Sequence, residues 1–174
     1  MATHSIPIPR QAWSVLIVST IAFTVCFMVW MMFGVIGIPL KKTLGLNATE
    51  FGLLTATPVL TGSLIRVPLG IWTDRYGGRI VMAILMALTV PAIWMMSYAT
   101  AYWHFLTIGL FVGLAGGSFS VGTPYVARWF PKSRQGMAMG VYGAGNSGSA
   151  VNKFVAPVLL VAFGWTMVPQ VYAA

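Results

Sequence analysis

Acidic side chains are nearly absent from this sequence of 174 residues, which contains only Glu50 and Asp74. Charged residues of either sign make up 7% of the chain, against roughly 25% in a soluble domain. Hydrophobic residues make up 58%, and the mean hydropathy is +0.85. Because so few charges could not cover a water-soluble fold, the sequence predicts an all-α protein whose solvent is lipid.

Reactive side chains are also scarce, and this excludes several classes of function. The single cysteine, Cys26, lies inside an apolar run and is interpreted as a small buried hydrophobe. The two histidines, His4 and His104, precede the first span and begin the fourth. The sequence shows no metal-ligand set, no nucleophile paired with a base and no phosphate-binding loop. We therefore expect no cofactor and no enzyme activity.

The net charge of +8 does not indicate a nucleic-acid partner. Its ten Lys and Arg residues are scattered, mostly at the ends of apolar runs, whereas nucleic-acid-binding proteins gather their basic residues on one polar face. We therefore expect the lipid bilayer as a partner and no nucleic acid.

The charges divide the chain into apolar stretches of membrane-spanning length. No formal charge occurs between Arg10 and Lys41, or in residues 80–127, which break at the polar and aromatic residues 97–103. Residues 165–174 are too short to cross and predict the start of a sixth helix. Since a span needs about 20 residues, the sequence predicts transmembrane helices at residues 13–38, 51–73, 80–98, 103–127 and 137–163.

The basic residues favour one orientation of these spans. If the N-terminus is inside, the outer loops carry only Lys41 and Lys42. The positive-inside rule therefore predicts a multi-pass protein of the plasma or bacterial inner membrane with a cytoplasmic N-terminus. In this orientation the positive charges on the cytoplasmic side are Arg10, Arg75, Arg79, Arg128, Lys132 and Arg134.

The loop after the second span contains a recognisable motif. Residues 70–79, GIWTDRYGGR, resemble the G-x-x-x-D-R-x-G-R signature of the major facilitator superfamily, with Gly78 as an extra residue before the last Arg. The resemblance implies that the chain is the incomplete N-terminal half of a twelve-helix transporter. A charged loop can pair differently in two rigid-body states, although a plain topological anchor is the alternative. By resemblance, a conformational latch is formed by Gly70, Asp74, Arg75, Gly77 and Arg79.

The fifth span carries a second, narrower resemblance. Residues 130–136 (FPKSRQG) lead into residues 140–148 (GVYGAGNSG), and together they resemble the fifth-helix signature of the NarK-type nitrate/nitrite porters. Residues 66–70 (RVPLG) and 113–119 (GLAGGSF) resemble the second and fourth helices of that family. The resemblance implies transport of nitrate or nitrite by alternating access, with the missing C-terminal half as a partner.

Independently of any family, Arg66 needs a partner inside the membrane. A cation within a span costs about 2.5–3.5 kcal/mol on insertion scales, and both carboxylates of the chain lie at span ends. Arg66 precedes Asp74 by eight residues, or roughly 12 Å of helix, which is close to the middle of a core about 30 Å thick. Snorkelling to the interface is one interpretation, and a bound anion is the one we favour.

Counting from the basic helix ends brings Phe119 and Asn146 to a similar depth, roughly 13 Å and 15 Å into their spans. A guanidinium can donate two parallel hydrogen bonds to a planar oxyanion, and an asparagine can donate through its amide. A phenylalanine ring can pack on the flat ion and exclude water. The sequence therefore predicts a substrate site formed by Arg66, Phe119, Asn146, Gly116 and Tyr142.

Lys153 ends a polar stripe along the fifth span, about 10.5 Å outward of Asn146. It either snorkels to the outer surface, attracts the incoming anion, or couples transport to protons, and the resemblance favours proton-coupled nitrate uptake. A facilitator for another small or organic anion and a non-transporting membrane scaffold stay open as alternatives. The sequence does not choose between nitrate and nitrite, or between symport and exchange.

Overall fold

A computed structural model describes residues 8–174, and His4 lies outside the described residues. Across this range the protein contains ten α-helices, two short 3-10 segments and no strand, so the prediction of an all-helical bundle is confirmed. The helices, in chain order, are α1 (Arg10–Trp30), α2 (Phe33–Leu44), α3 (Ala48–Leu64), α4 (Arg66–Tyr76), α5 (Gly78–Met96), α6 (Tyr102–Val112), α7 (Ser118–Ala127), α8 (Lys132–Gly143), α9 (Gly148–Phe163) and α10 (Met167–Ala173).

These helices join end to end into long spans. Four of them are long and apolar enough to cross a membrane: span 1 (Arg10–Leu44), span 2 (Ala48–Tyr76), span 3 (Gly78–Met96) and span 4 (Tyr102–Ala127). Helices α8 and α9 join over residues 132–163, which we call span 5, and polar residues such as Asn152 and Lys153 keep its hydropathy below that of the other four. The chain is therefore an integral, multi-pass membrane protein.

Capping residues, rather than charges, set where several helices begin and end. Span 1 continues through two lysines and ends at Gly45, whose φ of 64° is left-handed. Span 2 begins with a capping box, in which the Glu50 N–H donates to Asn47 Oδ1 and the Asn47 N–H donates to the Glu50 carboxylate, both at 2.9 Å. Span 5 begins at Lys132, five residues before the predicted 137, because Pro131 stands at its N-cap and charge alone does not stop a helix.

The bundle has a basic end and an opposite end. At the basic end, Asp74 in the last turn of span 2 accepts a hydrogen bond from Arg128, which follows span 4, at 2.7 Å. At the opposite end, the Tyr102 hydroxyl donates to the Glu50 carbonyl at 3.0 Å, and the Ser97 hydroxyl donates to the carbonyl of Thr166 at 2.8 Å. The last bond fixes the start of α10 beside the end of span 3, so α10 runs back toward the basic end.

A groove continues from the end of α10 along spans 1 and 3. The part nearer α10 has a volume of about 170 Å³ and is lined in part by Tyr172 and residues 173–174. The part nearer the basic end has a volume of about 440 Å³ and reaches Ser14 and Arg79. Both parts share Met86. The groove therefore lies in line with α10 and is lined mainly by apolar side chains.

Candidate functional site

Within residues 8–174, four of the five spans are interrupted part-way along. Span 1 breaks at residues 31–32 and span 2 at Ile65, while span 4 contains the 3-10 segment Gly113–Gly117 and span 5 the 3-10 segment Ala144–Ser147. Span 3 is continuous. Short 3-10 stretches inside a helix often mark functional hinges, and transporters form their sites at discontinuous helices.

The sequence explains the breaks. Pro68 has no N–H to donate to the Leu64 carbonyl, and this missing bond lies across the break of span 2. The amide of Asn152 reaches the Met31 carbonyl at 3.0 Å, so a foreign side chain enters the hydrogen-bond ladder at the break of span 1. Spans 4 and 5 break where glycines are densest, since glycine is a poor helix former.

The residues predicted for the site lie at or next to these breaks. Arg66 is the first residue of α4, directly after Ile65. Gly116 lies in the 3-10 segment of span 4, Phe119 follows that segment by two residues, and Asn146 lies in the 3-10 segment of span 5. The side chains of Arg66, Phe119 and Asn146 are exposed on the bundle. Since hydrocarbon offers a cation and an amide no partner, these positions suit a face that another polar group covers.

Arg66 approaches a tryptophan of span 1. Its guanidinium carbon lies 5.8 Å from the centre of the Trp30 ring, within the distance of about 6 Å at which a cation and a ring attract each other. Trp30 is 8% exposed, and its indole N–H donates to the Pro58 carbonyl of span 2 at 2.9 Å. The ring beside the arginine is therefore fixed between spans 1 and 2.

Two glycines complete the seat of this ring. A Cβ added at Gly62 would lie 2.8 Å from the Trp30 indole nitrogen, and a Cβ added at Gly116 would lie 2.6 Å from its Cε2. Real Cβ atoms do not approach this closely, so the indole needs glycine at both positions. We call Trp30, Pro58, Gly62 and Gly116 the Trp30 junction. It gives Gly116 a packing role, and a contact between Gly116 and the substrate stays a prediction.

Phe119 belongs to an aromatic cluster. Its ring centroid lies 5.5 Å from that of Phe23 and 6.0 Å from that of Tyr142, while the rings of Phe23 and Tyr142 stack at 5.0 Å. Phe23 and Tyr142 are buried, whereas Phe119 is 40% exposed. The Tyr142 hydroxyl donates to the Ser118 carbonyl at 2.9 Å. Tyr142 therefore contributes its ring to the cluster, and Phe119 is the member that presents a ring outward.

A row of rings connects this cluster to the Trp30 junction. Ring centroids are 5.6 Å apart between Phe23 and Phe27, and 5.4 Å apart between Phe27 and Trp30. Phe23 and Trp30 are seven residues apart on α1, or roughly 10 Å along its axis. The exposed Phe119 ring therefore lies nearer the basic end than the Trp30 junction.

Asn146 lies beside the aromatic cluster because Gly145, the preceding residue, packs against the Phe23 ring. Gly145 contacts the Phe23 ring and Gly148 contacts the Thr24 carbonyl, which brings span 5 against span 1. The Asn146 amide donates to the Gly143 carbonyl at 2.8 Å. The structure thus brings Asn146 near the level of Phe23 and Arg66 near that of Trp30, with Phe119 in contact with Phe23. Lys153 is exposed farther along span 5.

The loop between spans 2 and 3 is ordered by its glycines and one ion pair. Gly77 has a φ of 85° and makes the turn, and Gly78 is buried because the Tyr125 side chain packs on it. The extra glycine in the motif thus admits a residue of span 4. The Asp74–Arg128 ion pair is exposed on both sides. A Cβ added at Gly70 would have no neighbouring atom within 4 Å, so packing does not require glycine at this position.

An apolar groove between spans 2 and 3 is not part of this constellation. It holds about 390 Å³ and is lined by Ile65, Leu69 and other apolar or aromatic side chains, without Arg66, Phe119 or Asn146. In the described part of the chain, no group of three His, Cys, Asp or Glu residues could hold a metal ion.

Comparison with known proteins agrees with this architecture. The sequence model of the Major Facilitator Superfamily matches residues 18–174. The chain belongs to the major facilitator superfamily. The fold is also similar to the solved structure of a bacterial homologue of the human lysosomal transporter Spinster. The TM-score is 0.80 at 18% sequence identity, and the match covers 94% of this chain and 40% of that one.

Curated relatives give a narrower similarity. The chain is 42% identical to a probable nitrate/nitrite antiporter, NarK1, of Thermus thermophilus, over 91% of this chain and 39% of that protein. It is 36% identical to a nitrite extrusion protein of Bacillus subtilis, over 84% and 37%. It is 31% identical to a probable nitrate transporter, NarT, of Staphylococcus carnosus, over 90% and 40%. The chain therefore spans about two fifths of the length of the curated relatives it matches.

Sequence reasoning missed two residues of this superfamily member's site region. Trp30 lies in the middle of a span, although tryptophans of membrane proteins favour the interfaces, and that position was the available signal. Asn152 is buried, donating to the Met31 carbonyl at 3.0 Å and accepting from the Tyr172 hydroxyl at 2.8 Å. A second polar side chain next to Lys153 was the signal for Asn152.

Proposed function

We propose that this chain is the N-terminal part of a transporter that carries nitrate or nitrite across a membrane by alternating access. Arg66 carries the proposal, because it is an exposed cation at the break of span 2, a helix long and apolar enough to cross a membrane. The names of the relatives above support the choice of anion. The fold supports the mechanism, in which two halves rock around a central site.

The charge of Arg66 has no carboxylate to neutralise it within the chain. Only two acidic residues exist. Asp74 pairs with Arg128 at the basic end, and Glu50 caps span 2 at the opposite end. A cation in this position costs about 2.5–3.5 kcal/mol without compensation. A bound anion supplies that compensation.

The groups predicted for the site suit an anion that is small and flat. The guanidinium fork matches two oxygens of nitrate or nitrite. The exposed ring of Phe119 is backed by the buried rings of Phe23 and Tyr142, so it offers a firm flat surface. An asparagine amide has two N–H donors, and Asn146 uses one for its own helix. The second N–H is available for an oxyanion.

The rest of the protein completes the site and the bundle. The groove that continues from α10 along spans 1 and 3 matches the path of a sixth helix running to the basic end. The basic end is cytoplasmic by the positive-inside rule. The Asp74–Arg128 pair then belongs to a latch in the cytoplasmic loop that exchanges partners when the halves move. A second cation from the missing half would share the anion's charge.

Lys153 supports proton-coupled uptake, because it is an exposed titratable group in span 5 beyond Asn146. Exchange of nitrate for nitrite is the second candidate, favoured by relatives that are named an antiporter and an extrusion protein. In vesicles, an uncoupler stops proton-driven uptake, whereas exchange continues and requires nitrite on the opposite side.

The substitution Arg66→Lys in the full-length protein tests the site. We expect nitrate uptake into proteoliposomes to be nearly abolished at unchanged expression, because lysine keeps the charge and loses the fork. Arg134→Lys is the matched control, since Arg134 is exposed at the basic end and should transport normally. Near-normal nitrate affinity in Arg66→Lys would remove Arg66 from the site.

A further inference from the structure

We propose that Trp30 is a positioning residue that holds the Arg66 guanidinium at the anion site and thereby sets the selectivity for flat oxyanions. This inference rests on the proposed function, because it assigns to Trp30 a role in the binding of the same anion. The observation behind this proposal is that the guanidinium carbon of Arg66 lies 5.8 Å from the centre of the Trp30 ring.

The arginine needs such support because its own helix does not fix it. Arg66 is exposed and begins α4 directly after a break, so its long side chain has many rotamers and water or headgroups to reach for. A charge-to-ring contact favours the rotamers that keep the guanidinium beside the ring. Without it, the side chain is free to snorkel along the span.

The ring is well suited to act as this support because it cannot move. Gly62 and Gly116 pack closely on the indole, with added Cβ positions only 2.8 Å and 2.6 Å from its atoms. The indole N–H donates to the Pro58 carbonyl at 2.9 Å, so rotation of the ring would break a buried hydrogen bond. Three spans therefore hold the ring, and the ring holds the arginine.

The Trp30 junction lies where the breaks of three spans meet. Trp30 is the last residue of α1, Arg66 is the first of α4, and Gly116 lies in the 3-10 segment of span 4. Three helix breaks thus meet at one side chain. A shift of any of them changes where the guanidinium stands, which makes Trp30 a determinant of affinity rather than only of packing.

A series of fluorinated tryptophans placed at residue 30 alone in the full-length carrier tests the proposal. Fluorine withdraws electron density from the ring face and weakens its attraction for a cation, while the shape stays nearly the same and folding is preserved. We expect the half-saturation concentration for nitrate to rise stepwise with fluorination, by about three- to tenfold over the series. A half-saturation concentration that does not change with fluorination would overturn the proposal.

Conventional variants add a second readout. We expect Trp30→Phe to raise the half-saturation concentration more than it lowers the maximal rate, and to weaken the preference for nitrate over chloride. Trp94→Phe is the matched control, because Trp94 is 46% exposed on span 3. If Trp30→Phe lowers only the maximal rate and the unfolding temperature, with selectivity intact, Trp30 is a packing residue and the proposal is wrong.

A double-mutant comparison separates this inference from the proposed function. If Trp30 acts through Arg66, then Trp30→Phe changes residual nitrate binding little in an Arg66→Gln background, which has no cation beside the ring, because coupled residues are not additive. Equal effects in both backgrounds would refute the positioning role and leave the anion site standing. Normal binding in Arg66→Lys alone would instead defeat the proposed function.

Discussion

Replacement of Gly116 by alanine tests the packing of the Trp30 junction. The new Cβ would lie 2.6 Å from Cε2, 2.7 Å from the indole nitrogen and 2.9 Å from Cδ2 of Trp30. Ordinary contact begins near 3.4 Å, so the ring or the helix must move by roughly 1 Å. Overpacking of this kind costs about 1–3 kcal/mol, and the indole cannot swing away without losing its bond to Pro58.

The assay is thermal unfolding of the full-length carrier in detergent at one fixed scan rate, since membrane proteins often unfold irreversibly. Gly34→Ala is the control, because Gly34 lies in α2 with no atom within 4 Å of a Cβ position. There the substitution should be neutral or stabilising by up to about 1 kcal/mol, through helix propensity. We expect Gly116→Ala to unfold several degrees lower than both wild type and Gly34→Ala. If the two alanine variants unfold at the same temperature, the close packing of Trp30 on Gly116 is refuted.

Two further predictions concern the bundle as a whole. Asn152→Leu removes a donor from the Met31 carbonyl and an acceptor from the Tyr172 hydroxyl. Unfolding measurements should show it destabilised by about 0.6 to 1.7 kcal/mol, the usual range for hydrogen bonds between membrane helices, with Tyr172→Phe affected less. Equal stability of Asn152→Leu and wild type would contradict the structural role of this network. An impermeant amine label added to intact cells should modify Lys41, in the last turn of span 1, and leave Lys132 unmodified. The opposite pattern would overturn the cytoplasmic assignment of the basic end.

Local sequence predicted the helical scaffold because apolar spans depend on short-range properties. The absence of charge between Arg10 and Lys41 identifies a span by the energy of burying charge in hydrocarbon. The same reasoning picked out Arg66, since a mid-span cation needs a reason to be there. Helix ends were less accurate, because caps such as Gly45 and Pro131 decide them and a lysine does not.

The site itself could be predicted only in part. Phe119 and Tyr142 lie in one aromatic cluster, whereas Gly116, predicted as a substrate contact, packs against the Trp30 ring. Contact with an anion and close packing against another residue both require glycine, and the sequence does not tell which of the two fills the space. Gly78 is a similar case, because it departs from the superfamily motif and only the packed Tyr125 side chain shows why.

The sequence by itself determined that this chain is a helical membrane bundle, and it singled out Arg66 as a charge within an apolar stretch. Only the tertiary structure decided what surrounds that arginine. Asn152 bonds to a carbonyl 121 residues away, and Trp30 bonds to one 28 residues away. Hydropathy and helical periodicity act over a few turns, so they contain no information on pairs so far apart. The packing of the spans brings these pairs together.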